Sequence, residues 1–102
     1  LQQWRQQYPE NLLFDGGDTF HGTRPVVDTQ GKILVPILNE LGVAGMTAHW
    51  DFAYGPDRLR QLVKQLNYPL LAANVYEKAS GELVYPPYQV YETAGLRVGV
   101  IG

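Results

Sequence analysis

The order of the segments points to an α/β chain with a mixed sheet. Helix-like and strand-like stretches alternate as far as Val75, each early strand runs into a polar loop, and the stretch from Tyr88 to Ile101 alternates about Ala94-Gly95 as an antiparallel hairpin does. Leu1 to Gln7 reads as a helix that Pro9 stops. Asn11 to Phe14 is a short apolar strand, and the glycines and proline of "DGGDTFHGTRP" make a loop. Ile33, Leu34, Ile37, Leu38 and Leu41 recur at helical spacing and predict a helix from about Thr29 to Leu41, ended by Gly42. Pro36 belongs to its first turn or kinks it; the pattern leaves both open.

Val43 to Thr47 is the second strand and Ala48 to Gly55 its loop. Pro56 opens a helix whose buried face is Leu59, Leu62, Val63 and Leu66, closed by Asn67 and Pro69. Leu70 to Val75 is the third strand. A polar excursion with a turn at Ser80-Gly81 follows, and then the hairpin of Tyr88–Thr93 and Leu96–Ile101.

One hundred and two residues, 45% of them hydrophobic, amount to one modest core at most. The net charge is −2 with no lysine or arginine cluster, so the electrostatic footprint of a nucleic-acid binder is missing. No apolar run reaches the roughly 18 residues of a membrane span. The absence of cysteine removes disulfides, thiolate metal sites and a cysteine nucleophile. Both ends read as cut, in a helix at Leu1 and in a strand at Gly102, so the expectation is a fragment, and the lack of a signal peptide carries little weight. A cut sheet edge also favours self-association.

In layered α/β folds, polar residues just past strand C-termini are the default site candidates. The first strand delivers Asp15 and Asp18 with His21 nearby; the second delivers His49, Trp50 and Asp51. If the strands are neighbours, the two loops lie side by side, and carboxylate with imidazole suits Mn, Fe or Zn. Asp18 is a candidate metal ligand, able to bridge two cations, or a carboxylate that caps a turn. His49 is a candidate ligand or an ordinary hydrogen-bonded histidine. Trp50, Phe52 and Tyr54 read as packing residues, Asp51 as a residue that caps or orients the loop, and His21 as either a neighbour of Asp18 or a solvent-facing ring. Tyr76, Tyr85, Tyr88 and Tyr91 read as cover for the hairpin. The glycine run lacks the Gly-Lys-Ser/Thr ending of a P-loop.

Together these loops resemble those of a known family. "LLFDGGDTFHGT" resembles the Gly-Asp-x-x-x-Gly metal motif of the calcineurin-like metallophosphoesterases, and specifically the Gly-Asp-x-Phe-Gln-Gly-Thr of their 5′-nucleotidase branch. "MTAHWDFAYG" resembles that branch's Met-Thr-x-Gly-Asn-His-Glu-Phe-Asp-Tyr-Gly, and "LLAANVY" and "YQVYETAGLRVGVIG" its following strand and hairpin. The resemblance implies that residues 1–102 are a fragment of one catalytic domain, a partial four-layer α-β-β-α sandwich that carries two divalent ions, Mn or Zn, in the full-length protein. It makes Asp18 the bridging aspartate. It also places the family's Asp-x-His motif upstream of Leu1 and its later histidine ligands beyond Gly102. Two ligands alone would not hold a metal tightly in the fragment.

The second motif departs from the family pattern. His49 stands where the family has a metal-binding asparagine, Trp50 where it has the histidine that contacts phosphate, and Ala53 where it has that histidine's aspartate partner. An imidazole nitrogen can replace an amide oxygen on the metal. An indole is a hydrogen-bond donor only and cannot act as a general acid at neutral pH. The catalytic residues therefore stay unassigned. The His49-Trp50 pair also resembles the sulfur-oxidation (Sox) thiosulfohydrolases, whose loop reads Gly-His-Trp-Glu-Phe-Thr-Tyr-Gly. The expectation is a metal-dependent hydrolase of nucleotides or related phosphate esters, exported as its relatives commonly are. The rivals are a thiosulfohydrolase-like enzyme and a non-catalytic module that has kept the fold.

Overall fold

Two short strands fix the frame of the molecule. In the computed structural model, which describes all 102 residues except the side chain of Gln2, β1 (Phe14–Asp15) pairs in parallel with β2 (Gly45–Met46). Phe14 stands opposite Gly45 and Asp15 opposite Met46. Backbone bonds from Ala44 N–H to Leu13 C=O and from Thr47 N–H to Asp15 C=O extend the contact at both ends. Parallel neighbours require a crossover. Here it is α2 (Arg24–Asp28), a 3-10 turn (Lys32–Leu34) and α3 (Val35–Leu41).

That crossover differs from the single helix expected over Thr29–Leu41. The chain breaks at Gln30 and Gly31, both at positive φ, so the helical phase restarts at Val35. Pro36 falls in the first turn of α3, where a missing N–H costs no helical bond. The restart turns Val35 and Leu38 into the core and leaves Ile33, Ile37 and Leu41 exposed. Gly42 ends α3 in the left-handed conformation.

The N-terminal helix α1 is Gln2–Gln7 and α4 is Pro56–Val63. Leu59 and Leu62 of α4 are fully buried, with Val63 and Leu66 packed at the margin. They meet Phe20, Leu38, Met46, Tyr68, Leu70 and Tyr85 in one core cluster.

The third strand expected at Leu70–Val75 shrinks to a parallel bridge between Leu70 and Met46. Leu71 N–H still bonds Met46 C=O, but Ala73 N–H, the next on that edge, bonds Gly102 C=O instead. No continuous ladder can then run along β2.

The C-terminal strands β3 (Tyr88–Thr93) and β4 (Leu96–Ile101) pair antiparallel from Tyr88↔Ile101 to Thr93↔Leu96. Parallel and antiparallel pairing thus occur in two separate two-stranded sheets. Tyr91 joins them: its hydroxyl donates to Ala44 C=O at 2.9 Å and its ring meets Phe14 edge-on. Tyr85 is buried in the core rather than covering the hairpin, whereas Tyr76 and Tyr88 are exposed. Among the described residues no helix is long and apolar enough to cross a membrane.

Candidate metal centre

The parallel pairing of β1 with β2 brings both strand C-termini to one edge, so the Gly16–Thr23 and Thr47–Gly55 loops emerge together. The first loop folds back on its own strand. Asp15 Oδ1 accepts Gly17 N–H at 3.0 Å, and Thr19 Oγ1 donates to the Asp15 carboxylate at 2.9 Å. Gly17 lies at φ 86°, and a Cβ there would stand 2.6 Å from Thr47 O and 2.8 Å from His49 N. Only a residue without a side chain lets the two loop backbones approach so closely.

In the second loop, His49 leads into a 3-10 turn over Trp50–Tyr54. The turn throws Trp50 outward, 64% exposed, and Asp51 inward, 1% exposed. Asp51 accepts the backbone N–H groups of Asp18, Thr19 and Phe20, each at 2.9 Å, and of His49 at 3.0 Å. Burial pushes its carboxyl upward, but the bonds from His49, Phe20, Asp18 and Thr19 together outweigh burial and hold it below the usual aspartate value. The loop cap expected at Asp51 therefore reaches across into the neighbouring loop.

Asp18 adopts φ 68°, unusual for a residue with a side chain. Its Oδ1 lies 3.5 Å from His49 Nδ1 and 2.5 Å from His21 Nε2. All three side chains reach solvent, Asp18 at 51% and His49 at 65%. The structure thus brings Asp18 and His49 together, and His21 joins them as a hydrogen-bonding partner of Asp18. The His49 and Trp50 rings stand edge to face with centroids 6.0 Å apart.

This donor set fits one edge of a divalent-metal site. A carboxylate oxygen and an imidazole nitrogen of the right hardness converge at the loop tips. Among the described residues no group of three His, Asp or Glu side chains converges as a complete metal-holding set. His21 Nε2 is directed at the Asp18 oxygen itself, which makes it a partner of the carboxylate and not a third arm around a shared ion.

Sequence reasoning passed over Tyr68. It is 6% exposed, and its hydroxyl has no hydrogen-bond partner. Burial first, then the charges of Asp15 and Asp51, push its phenol up to about 12. Nothing in the local pattern around Asn67-Tyr68-Pro69 signals this, because the burial and the two carboxylates, Asp15 at the end of β1 and Asp51 in the second loop, come from segments distant in sequence.

No family profile matches the chain. It is 32% identical over its full length to a 5′-nucleotidase of Bos taurus, of which it covers 19%. It is 42% identical over 89% of its length to a 5′-nucleotidase of Vibrio cholerae, covering 17% of that protein. Among solved structures it superposes on the Thermus thermophilus sulfate thiohydrolase SoxB with a TM-score of 0.86 and 25% identity, over 98% of this chain and 19% of that one. It matches a 5′-nucleotidase from Staphylococcus aureus at a TM-score of 0.82 and 29% identity, over 98% of this chain and 21% of that one. The calcineurin-like phosphoesterase YfkN of Bacillus subtilis aligns at a TM-score of 0.75 and 29% identity, over 97% of this chain and 35% of that one. The chain therefore spans about a fifth of the curated relatives and aligns to them across most or all of its own residues.

Proposed function

We propose, from the premise that this chain has the fold and sequence relationships of a calcineurin-like metallophosphoesterase segment of 5′-nucleotidase type, that it is part of the catalytic domain of a dinuclear-metal hydrolase. In this reading the full-length protein would cleave nucleotides or related phosphate esters, and Asp18 and His49 would be among the residues that hold its divalent ions. The observation that carries it is the approach of Asp18 Oδ1 to His49 Nδ1, 3.5 Å, at the solvent-facing ends of two parallel strands. Bound Mn or Zn supplies Lewis-acid charge and a water of lowered pKa.

The chain's own residues do the rest. Asp18 and His49 present the donor atoms, Asp15 and Gly17 shape the first loop, and His21 orients the Asp18 carboxylate from the side. Trp50 cannot protonate a leaving group, and Ala53 offers no carboxylate, so a proton for the departing alkoxide must come from water or from another part of the protein. The test is metal content and AMP hydrolysis of the full-length protein against His49→Ala and Asp18→Ala. Loss of metal and activity is expected. Equal metal in wild type and His49→Ala would remove the ligand role, and full activity in Asp18→Ala would leave a non-catalytic module.

A second reading has its own observation. The His49-Trp50 pair, together with the superposition on the sulfate thiohydrolase at a TM-score of 0.86, favours a thiosulfohydrolase-like enzyme. Attack of water on the sulfonate sulfur breaks its S–S bond and expels the carrier's sulfur anion, a weaker base than an alkoxide and so less in need of a general acid. Parallel assays on AMP and on a thiosulfonate-bearing carrier separate the two. Export belongs to either reading, and cell fractionation of the host tests it.

A further inference from the structure

We infer that Asp51 is the positioning residue of this centre: its carboxylate, by accepting backbone N–H groups from both loops, sets the approach of Asp18 to His49. The function of that pair rests on the metal reading above; its geometry does not. Asp51 Oδ2 accepts the N–H of Asp18 at 2.9 Å and the N–H of His49 at 3.0 Å, so a single oxygen atom ties the main chains of both candidate ligands. Oδ1 accepts Thr19 and Phe20, both at 2.9 Å, which anchors the loop just beyond Asp18. The tied segments lie 31 to 33 residues apart in sequence, so no local turn could hold them in register.

Among the described residues Asp51 has no cationic partner in an ion pair, and it is the buried charged residue of the core. Four backbone donors aimed at one buried anion leave no room for a neutral substitute. Asparagine has one oxygen, and its NH2 group would face N–H donors; an apolar side chain would leave all four donors unpaired. A glutamate keeps the charge but moves its oxygens by one methylene, in a side chain that is 1% exposed in this chain. The same bonds stabilise the φ of 68° at Asp18, a conformation disfavoured for a residue with a Cβ. Both oxygens of Asp51 are engaged by backbone N–H groups in a side chain that is 1% exposed. It acts through Asp18 and His49.

The experiment compares wild type, Asp51→Asn and a core control, Leu38→Ala in α3, as full-length proteins. Amide hydrogen exchange is read without metal, and Mn2+ binding is read separately. In Asp51→Asn, exchange at Asp18, Thr19, Phe20 and His49 is expected to accelerate at least about tenfold, while the amides of Leu59 and Leu62 in α4 stay within about twofold. The Mn2+ dissociation constant is expected to rise at least about tenfold in Asp51→Asn and to stay within about twofold in Leu38→Ala. Unchanged exchange at the four amides, or equal weakening of Mn2+ in both variants, overturns the inference. Wild type that binds no Mn2+ overturns the metal reading instead, and the exchange result then decides the inference alone. Should Asp51→Asn fail to fold, Asp51→Glu keeps the charge and moves the oxygens. A change in Mn2+ affinity of at least about fivefold is expected there, and wild-type affinity overturns the inference.

Discussion

Adjacent glycines in the first loop should respond in opposite ways to the same methyl group. At Gly17 an added Cβ meets backbone, 2.6 Å from Thr47 O and 2.8 Å from His49 N, on a residue at φ 86°. Backbone atoms cannot swing aside as a side-chain tip can. The left-handed conformation costs an alanine about 1 kcal/mol, and the overpacking about 1–3 kcal/mol more. Gly17→Ala should therefore destabilise by about 2–4 kcal/mol. At Gly16 the same Cβ meets nothing within 4 Å and no positive φ opposes it. Gly16→Ala should be near neutral, or stabilising by up to about 1 kcal/mol through the unfolded chain. Urea unfolding of both variants reads the difference as a shift in midpoint at constant m. Stabilities within about 0.5 kcal/mol of each other would refute the claim that Gly17 is required by the contact between the loops. The same variant should lower metal occupancy, because the clash pushes His49 away from Asp18.

Tyr68→Phe removes a buried hydroxyl that has no partner, so neutral-pH stability should stay within about 1 kcal/mol of wild type or rise. Because the folded phenol is raised to about 12 from 10.0, its contribution is fully present below pH 10 and is lost as pH rises through 12. Alkaline unfolding of Tyr68→Phe should lack that step, worth roughly 3 kcal/mol at most, and an identical alkaline profile would count against it. Ala94 at φ 51° and Gly95 at φ 71° form the hairpin turn, a geometry that prefers Asn-Gly, so Ala94→Asn should stabilise the hairpin by about 1 kcal/mol in thermal melts. The hairpin exposes Tyr88, Leu96 and Ile101, so the isolated 102-residue chain should self-associate as concentration rises in sedimentation velocity.

Much of this molecule was readable residue by residue. Apolar spacing located α4 and its buried Leu59 and Leu62, the Ala94-Gly95 turn located the hairpin, and polar residues after two apolar strands located the loops where Asp18 meets His49. These signals are local: a helical or alternating period needs only neighbours in sequence to show itself. The helix over Thr29–Leu41 was misread for the same reason. The period was present, but Gln30 and Gly31 turn left-handed against Phe20 and Leu62, a contact no local window contains. The strand at Leu70–Val75 was likewise cut short where Ala73 N–H bonds Gly102 C=O, a partner beyond the end of the hairpin.

The sequence by itself determined the inventory: two polar loops after two short strands, an aspartate and a histidine in them, and a tryptophan and an alanine where the family it resembles has its catalytic pair. Tertiary structure alone decided their relation. It brought Asp18 Oδ1 within 3.5 Å of His49 Nδ1, turned Asp51 from a local cap into a buried anchor shared by both loops, and lifted the Tyr68 phenol. The reason is physical. Propensity and periodicity act along the chain, whereas the charge environment and hydrogen-bond partners of a side chain are set by whichever segments the core packs beside it.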